Sequence, residues 1–183
     1  MMARVKRSPT YTKLASICAL VLAAACGYAP VDPRGVFGAD VRAIELQMFE
    51  NRSTEIGLEA MLADAFQEEF VRRGLLKPLY QADDESSRSQ LVLSGTIVAT
   101  ILEPTAFSSV ELSLEDRIDV VISLGVQRRE TGQLVLDRRD LRFSERFLAS
   151  ADPNVYESNK EQALRRISTR AASQLHDELF QQF

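Results

Sequence analysis

Ile118-Asp119-Val120-Val121-Ile122-Ser123-Leu124-Gly125-Val126-Gln127 places an apolar side chain at every second position, with Asp119, Ser123 and Gln127 among the residues between. Successive side chains of a strand point to opposite faces, so this alternation describes a strand that buries one face. Downstream, Glu130-Thr131-Gly132-Gln133 separates it from a second run, Leu134–Phe147. A short break containing Gly between two such runs signals a hairpin, whose strands are antiparallel. Upstream, Leu91–Glu103 carries Thr96, Ile97, Val98, Thr100 and Ile101, the β-branched composition of a third strand. Pro104–Asp116 between them contains Phe107, Val110, Leu112 and Leu114. It either lengthens the two strands or protrudes as an apolar loop.

The flanks complete the architecture. In Val41–Phe49, Ile44, Leu46 and Met48 alternate with Glu45 and Gln47, again a strand. Leu58, Met61, Leu62, Ala65, Phe66 and Phe70 recur at three- and four-residue steps, the stripe of a helix over about 55–73. Asp64, Glu68, Glu69 and Arg72 are expected to face water. Residues 50–54 offer N-cap side chains, and Gly74 a left-handed C-cap. Residues 75–80 read as an edge strand interrupted by Pro78, and 81–89 as a solvated acidic loop. Asp152 and Pro153 open a second helix whose buried stripe is Leu164, Ile167, Ala171, Leu175 and Leu179, with Lys160, Glu161, Arg165, Arg166 and Asp177 outside. The order strand, helix, strands, helix predicts an α+β fold: a two-layer sandwich, with two helices packed on one face of a mixed four- to five-stranded sheet.

Residues 1–25 hold Arg4, Lys6, Arg7 and Lys13, no acidic residue, and a twelve-residue apolar run from Leu14 to Ala25. That is the pattern of a secretory signal, too short to span a bilayer. Leu22-Ala23-Ala24-Ala25-Cys26-Gly27 resembles a bacterial lipobox, which implies that the signal is removed and that Cys26 takes acyl chains, anchoring the protein to a membrane. Residues 26–40, with two Pro and three Gly, read as a lipidated tether, and 41–183 as a single domain. Without the four basic residues of the signal, eighteen Lys and Arg remain against 26 Asp and Glu, a formal charge near −8. An acidic body argues against a nucleic-acid partner.

The inventory also limits chemistry. The sequence has 2 Cys, 1 His and no Trp, so zinc sites and His-based catalysis lack partners, and no metal or cofactor is expected. His176, beside apolar Leu175, reads as a surface or boundary residue. Strand carboxylates Asp116, Asp119, Asp137 and Asp140 each have an arginine nearby, so pairing is their expected role. Between positions 117 and 146 stand seven arginines and no lysine: Arg117, Arg128, Arg129, Arg138, Arg139, Arg142 and Arg146. They form either a solvated sheet face or a patch for an anionic ligand, because guanidinium binds phosphate in bidentate fashion.

Several motifs, in order, resemble the LptE family of lipopolysaccharide-assembly lipoproteins: Cys26-Gly27-Tyr28; Phe49-Glu50-Asn51-Arg52-Ser53; Arg72-Arg73-Gly74; Leu93-Ser94-Gly95-Thr96-Ile97; Arg129-Glu130-Thr131-Gly132; and Glu161–Arg166 through Phe183. Met48 departs from the Pro that commonly precedes the Phe. The resemblance implies a helix-on-sheet fold and a non-catalytic lipoprotein, anchored to the inner leaflet of the outer membrane and facing the periplasm. It further implies a plug inside an LptD-like outer-membrane β-barrel that inserts lipopolysaccharide into the outer leaflet. Arg128, Arg129, Arg138, Arg139, Arg142, Phe107, Val110 and Leu112 are then the candidate contacts to lipopolysaccharide or the barrel. Two alternatives stay open: a periplasmic activator or scaffold lipoprotein serving a cell-wall enzyme or secretion ring, and a lipid-processing enzyme using strand carboxylates.

Overall fold

A computed structural model of the protein describes residue 37 and residues 41–79, 91–107 and 113–181. The expected signal, Cys26, nearly all of the tether, the acidic loop, Val110 and Leu112 lie outside these residues. The elements are β1 (Ala43–Leu46), β2 (Glu50–Asn51), α1 (Leu58–Arg73), β3 (Lys77–Leu79), β4 (Leu91–Phe107), β5 (Ser113–Arg128), β6 (Leu134–Leu148) and α2 (Pro153–Gln181). The sheet runs β3-β1-β4-β5-β6, with β2 pairing β4 beyond the end of β1, so it has six strands rather than four or five. β1 is parallel to β3 and β4, whereas β4, β5 and β6 form an antiparallel meander. Both helices pack into one core with one face of this mixed sheet, the two-layer α+β arrangement expected.

Ile118, Val120, Ile122, Leu124 and Val126 are all buried, as their alternation requires. Most of the Pro104–Asp116 excursion is strand: β4 and β5 stay paired from Leu91↔Arg128 to Phe107↔Ser113. The turn after β5 closes with Gly132 at φ 67 and its N–H donating to the Arg128 carbonyl at 2.9 Å. β3 is an edge strand, where Pro78, lacking an N–H, is tolerated.

The first strand departs from its alternation. Ile44 and Leu46 are buried, but Met48 is 68% exposed and Phe49 takes the core position at 3%. The cause is register. Leu46 pairs with Leu93 and Glu50 with Thr96, so four residues on the β1–β2 side oppose three on β4. One extra residue reverses which face each later side chain takes. Phe49 then lies over β4 and stacks on Phe66 of α1 with centroids 5.3 Å apart. A Cβ at Gly95 would overlap the Phe49 ring and come 2.8 Å from Leu124 Cδ2, so this crossing requires glycine.

α1 starts at Leu58, three residues later than its periodicity suggests. Its N-cap is Gly57 at φ 87, with no capping side chain, rather than a residue of 50–54. The C-cap is Gly74 at φ 67, its N–H donating to the Phe70 carbonyl. α2 begins as read: the Asp152 carboxylate accepts the Asn154 N–H at 2.9 Å, and Pro153 occupies the first turn. Leu164, Ile167, Ala171, Leu175 and Leu179 are buried.

In and beside the helix layer, Glu69, Lys160 and His176 are buried more deeply than expected. Glu69 is 5% exposed, held by Arg72 at 2.6 Å and Arg73 at 2.8 Å. Burial pushes its carboxyl up, but these two guanidinium groups outweigh that and hold it below the usual carboxylate range. The Lys160 side chain is 15% exposed and bridges Glu55 and Glu157 at 3.1 and 2.9 Å, tying the start of α2 to the segment before α1. His176 is 2% exposed, a core rather than a boundary residue.

Candidate functional site

The meander has two faces. One carries the helices. The other, which carries no helix among the described residues, is where the odd-numbered side chains of β5 from 115 to 123 point. The candidate arginines divide between them. On β6, Leu136 and Arg138 pair opposite Val126 and Leu124 on the helix side, while Leu141, Phe143 and Phe147 take that side further along. The change from even to odd comes from a register shift between Ile122 and Leu124, where β6 has one residue more, with Asp140 at φ 52. This is a β-bulge.

Arg138 consequently reaches α2 and pairs with Glu178 at 2.7 Å. At the hairpin end, Arg128 donates to the Phe37 carbonyl at 2.7 Å and Arg129 pairs with Glu45 of β1. Arg117, Arg139, Arg142 and Arg146 are on the bare face or its rim. Arg142 pairs with Asp119; Arg117 pairs with Glu103 and lies 3.6 Å from Asp119; Arg146 is 3.8 Å from Glu115. Arg139 pairs loosely with Asp137 at 3.3 Å and is 79% exposed. The seven arginines are therefore not one patch. Phe107 ends β4, so its backbone lies at the far tip of the meander from Arg128 and Arg129.

Asp119 is the unexpected member. It is 1% exposed on the face without helices, covered by arginine side chains and hydrogen-bonded by the Ser144 hydroxyl. Burial raises its pKa, but the Ser144 and Arg142 hydrogen bonds and the Arg142 and Arg117 charges outweigh this and hold it low. It stays ionised and engaged. Asp116 turns to the other face and accepts the Tyr156 hydroxyl at 2.8 Å. Burial, then that hydrogen bond, push the tyrosine up to about 12. Of the strand aspartates, Asp119 and Asp137 thus have arginine partners, and Asp116 has a tyrosine.

Beside Arg139 the bare face dips into a shallow trough of about 520 Å³. Its floor is Ser94, Thr96, Ser123 and Gly125; Met48 and Arg52 form one wall, and Asp137 and Arg139 the other. Arg52 is paired with Glu50 at 2.9 Å. Neither Arg52 nor Met48 is a candidate on sequence grounds, because only the β1–β2 slip turns Met48 outward. Among the described residues, no three potential ligands cluster to hold a metal ion, and no helix is long and apolar enough to cross a membrane.

The lipopolysaccharide-assembly family LptE matches residues 41–179. The chain belongs to that family. LptE proteins act in lipopolysaccharide assembly as non-catalytic, outer-membrane-associated lipoproteins, and the match spans the α+β domain up to the last residues of α2. No curated protein matches the sequence. Among solved structures, a hypothetical protein of Chlamydia trachomatis superposes with a TM-score of 0.51 at 7% identity, over 76% of this chain and 98% of that one, and so shares the fold. The rare lipoprotein B of Shewanella oneidensis has a TM-score of 0.47 at 11% identity, covering 74% and 92%. In this LptE chain, the sheet meander, the trough and all but the last two residues of the helix layer fall within the matched residues.

Proposed function

We propose that this LptE-family protein is anchored by acyl chains on Cys26 to the inner leaflet of the outer membrane, facing the periplasm. There it plugs and helps assemble an LptD-like β-barrel that inserts lipopolysaccharide into the outer leaflet. Family membership over residues 41–179 carries this reading. The asymmetry of the sheet supports it. One face is closed by two helices, and the other offers a long surface on which Arg142, Arg117 and Arg146 are mutually neutralised with acids while Arg139 remains largely exposed. A plug needs a rigid body that holds its shape without its partner, and the closed helix layer provides one. The tip segment with Phe107, Val110 and Leu112 is the part assigned to the barrel interior, and Arg139 is the charged group best placed to meet an anionic headgroup.

Co-purification tests this. The intact chain, extracted in detergent, is expected to carry an outer-membrane β-barrel with it, and deletion of residues 108–112 to lower that recovery several-fold. Depleting the protein is expected to reduce lipopolysaccharide at the cell surface. Recovery with a soluble cell-wall enzyme or secretion ring instead, and unchanged surface lipopolysaccharide, would overturn the assignment.

A further inference from the structure

His176, the sequence's one histidine, lies where the C-terminal ends of the two helices meet. Its ring stacks on Phe180 with centroids 4.6 Å apart and meets Phe70 of α1 edge-on at 5.3 Å; Phe180 in turn contacts Phe37 at 5.5 Å. Neither ring nitrogen has a hydrogen-bond partner among the described residues. An imidazole built only into packing would be replaceable by a hydrocarbon at no loss, since an unpartnered buried polar group opposes folding.

The charged groups facing the ring come from both helices. α1 supplies Glu69, Arg72 and Arg73, and α2 supplies Asp177; on the Phe37 side the Phe37 and Phe180 rings meet, with Arg128 held on the Phe37 carbonyl. The carboxylates are already engaged: Glu69 by Arg72 and Arg73, Asp177 by Arg73 at 3.1 Å, leaving Asp177 Oδ1 4.0 Å from His176 Nδ1. An imidazolium formed here would find no unshared counter-charge and would sit in an aromatic cage beside two guanidinium groups. Burial, and after it the Arg73 charge, hold the ring below its ordinary pKa.

We propose that His176 is a proton-triggered latch: neutral, it closes the C-terminal ends of α1 and α2 over the sheet, and protonated, it releases them while the β-meander stays folded. The release exposes Phe70, Phe180 and the Phe37 contact that Arg128 holds from the hairpin. Because the folded ring resists protonation and the open ring does not, closure weakens as pH falls through about 6.5. That window lies above the range in which the acids titrate.

Hydrogen exchange of the full chain, corrected for the intrinsic pH dependence of exchange, tests the latch. Between pH 7.5 and 5.0, protection at the amides of 175–180 is expected to fall several-fold, up to the ceiling of about thirty-fold that an open-state pKa near 6.5 sets for a ring kept neutral when closed. Protection of residues 118–126 in β5 is expected to stay within about two-fold. In His176→Leu the helix amides are expected to show no such dependence. Equal loss in helix and sheet, or no loss in either, overturns the proposal. Should His176→Leu not fold, the wild-type ring decides: titration by NMR at or above its ordinary pKa, with the helix ends still protected, overturns it as well.

Discussion

The two faces of the sheet bury charge by opposite means. Under the helices, Glu69 is hidden within an aromatic and aliphatic layer and is held by arginines three and four residues away on its own helix. On the bare face, Asp119 is equally hidden, but its cover is made of arginines from β5 and β6, with Arg142 half-exposed. The first arrangement is short-range and survives any change of partner. The second depends on strand register and presents its arginines to whatever meets the sheet. One face is built to be finished when the chain folds, the other to be met.

The largest expected effect breaks the closed side. Phe66 is fully buried and stacks on Phe49 over Gly95. Phe66→Ala removes the ring and leaves a cavity, which destabilises by about 3–5 kcal/mol; urea denaturation checks it. Gly95→Val attacks the same junction from the sheet, where the added atoms have no space, at a cost of about 1–3 kcal/mol or more.

Next come the two hidden acids. Glu69→Gln and Asp119→Asn each replace a buried carboxylate that arginines engage with a neutral, weaker acceptor, for an expected loss of about 1–3 kcal/mol by the same measurement. The comparison sharpens with salt. Arg142 is 53% exposed while Asp119 is 1% exposed, so part of that attraction is screened. Raising ionic strength should therefore narrow the gap between wild type and Asp119→Asn.

A pH series separates the two acids from the histidine. Glu69, Asp119 and Glu145 all have folded-state carboxyls below their ordinary range; for Glu145, burial is outweighed by Arg170 and Arg166. A depressed carboxyl contributes stability that is complete above the unfolded value, about 4, and disappears as pH drops through the folded one. The urea midpoint is expected to fall steeply below pH 4, less steeply in Asp119→Asn, and Glu69→Gln,Asp119→Asn should be flatter still.

Much of this organisation was legible before the structure because periodicity is a local property. The alternation through Ile118–Val126, the stripe of Leu58–Phe70 and the Asp152–Pro153 start each depend only on neighbours in sequence. What was not legible depends on a partner strand. The extra residue before Glu50, which turns Met48 out and Phe49 in, exists only relative to β4. The bulge at Arg139–Asp140 likewise reverses β6 relative to β5. Seven arginines in thirty residues were visible, but their division among the helix side, the hairpin end and the bare face was not. Polarity places Glu69 and Lys160 in water, and for Asp119 it predicts an arginine partner but not its burial, because polarity alone does not report that two opposite charges are close enough to be buried together. Glu69 did carry a signal, in the arginines at three and four positions beyond it.

The smallest effect on stability carries the most information about the bare face. Arg139 sits at the bulge, is 79% exposed, and pairs with Asp137 only loosely, at 3.3 Å. Arg139→Glu should change the unfolding free energy by less than about 0.5 kcal/mol, since nothing buried depends on it. A charge reversal at a contact with an anionic ligand, by contrast, replaces attraction with repulsion. The variant is therefore expected to fold and reach the membrane normally, yet retain several-fold less lipopolysaccharide in a pull-down. Arg138→Glu is the matched control. It disrupts the pair with Glu178 on the closed side, so it should lower stability without the same selective loss of lipopolysaccharide. If the two reversals lower lipopolysaccharide recovery equally and in proportion to stability, the bare face has no special role, and the contrast between the two sides of the sheet is one of packing alone.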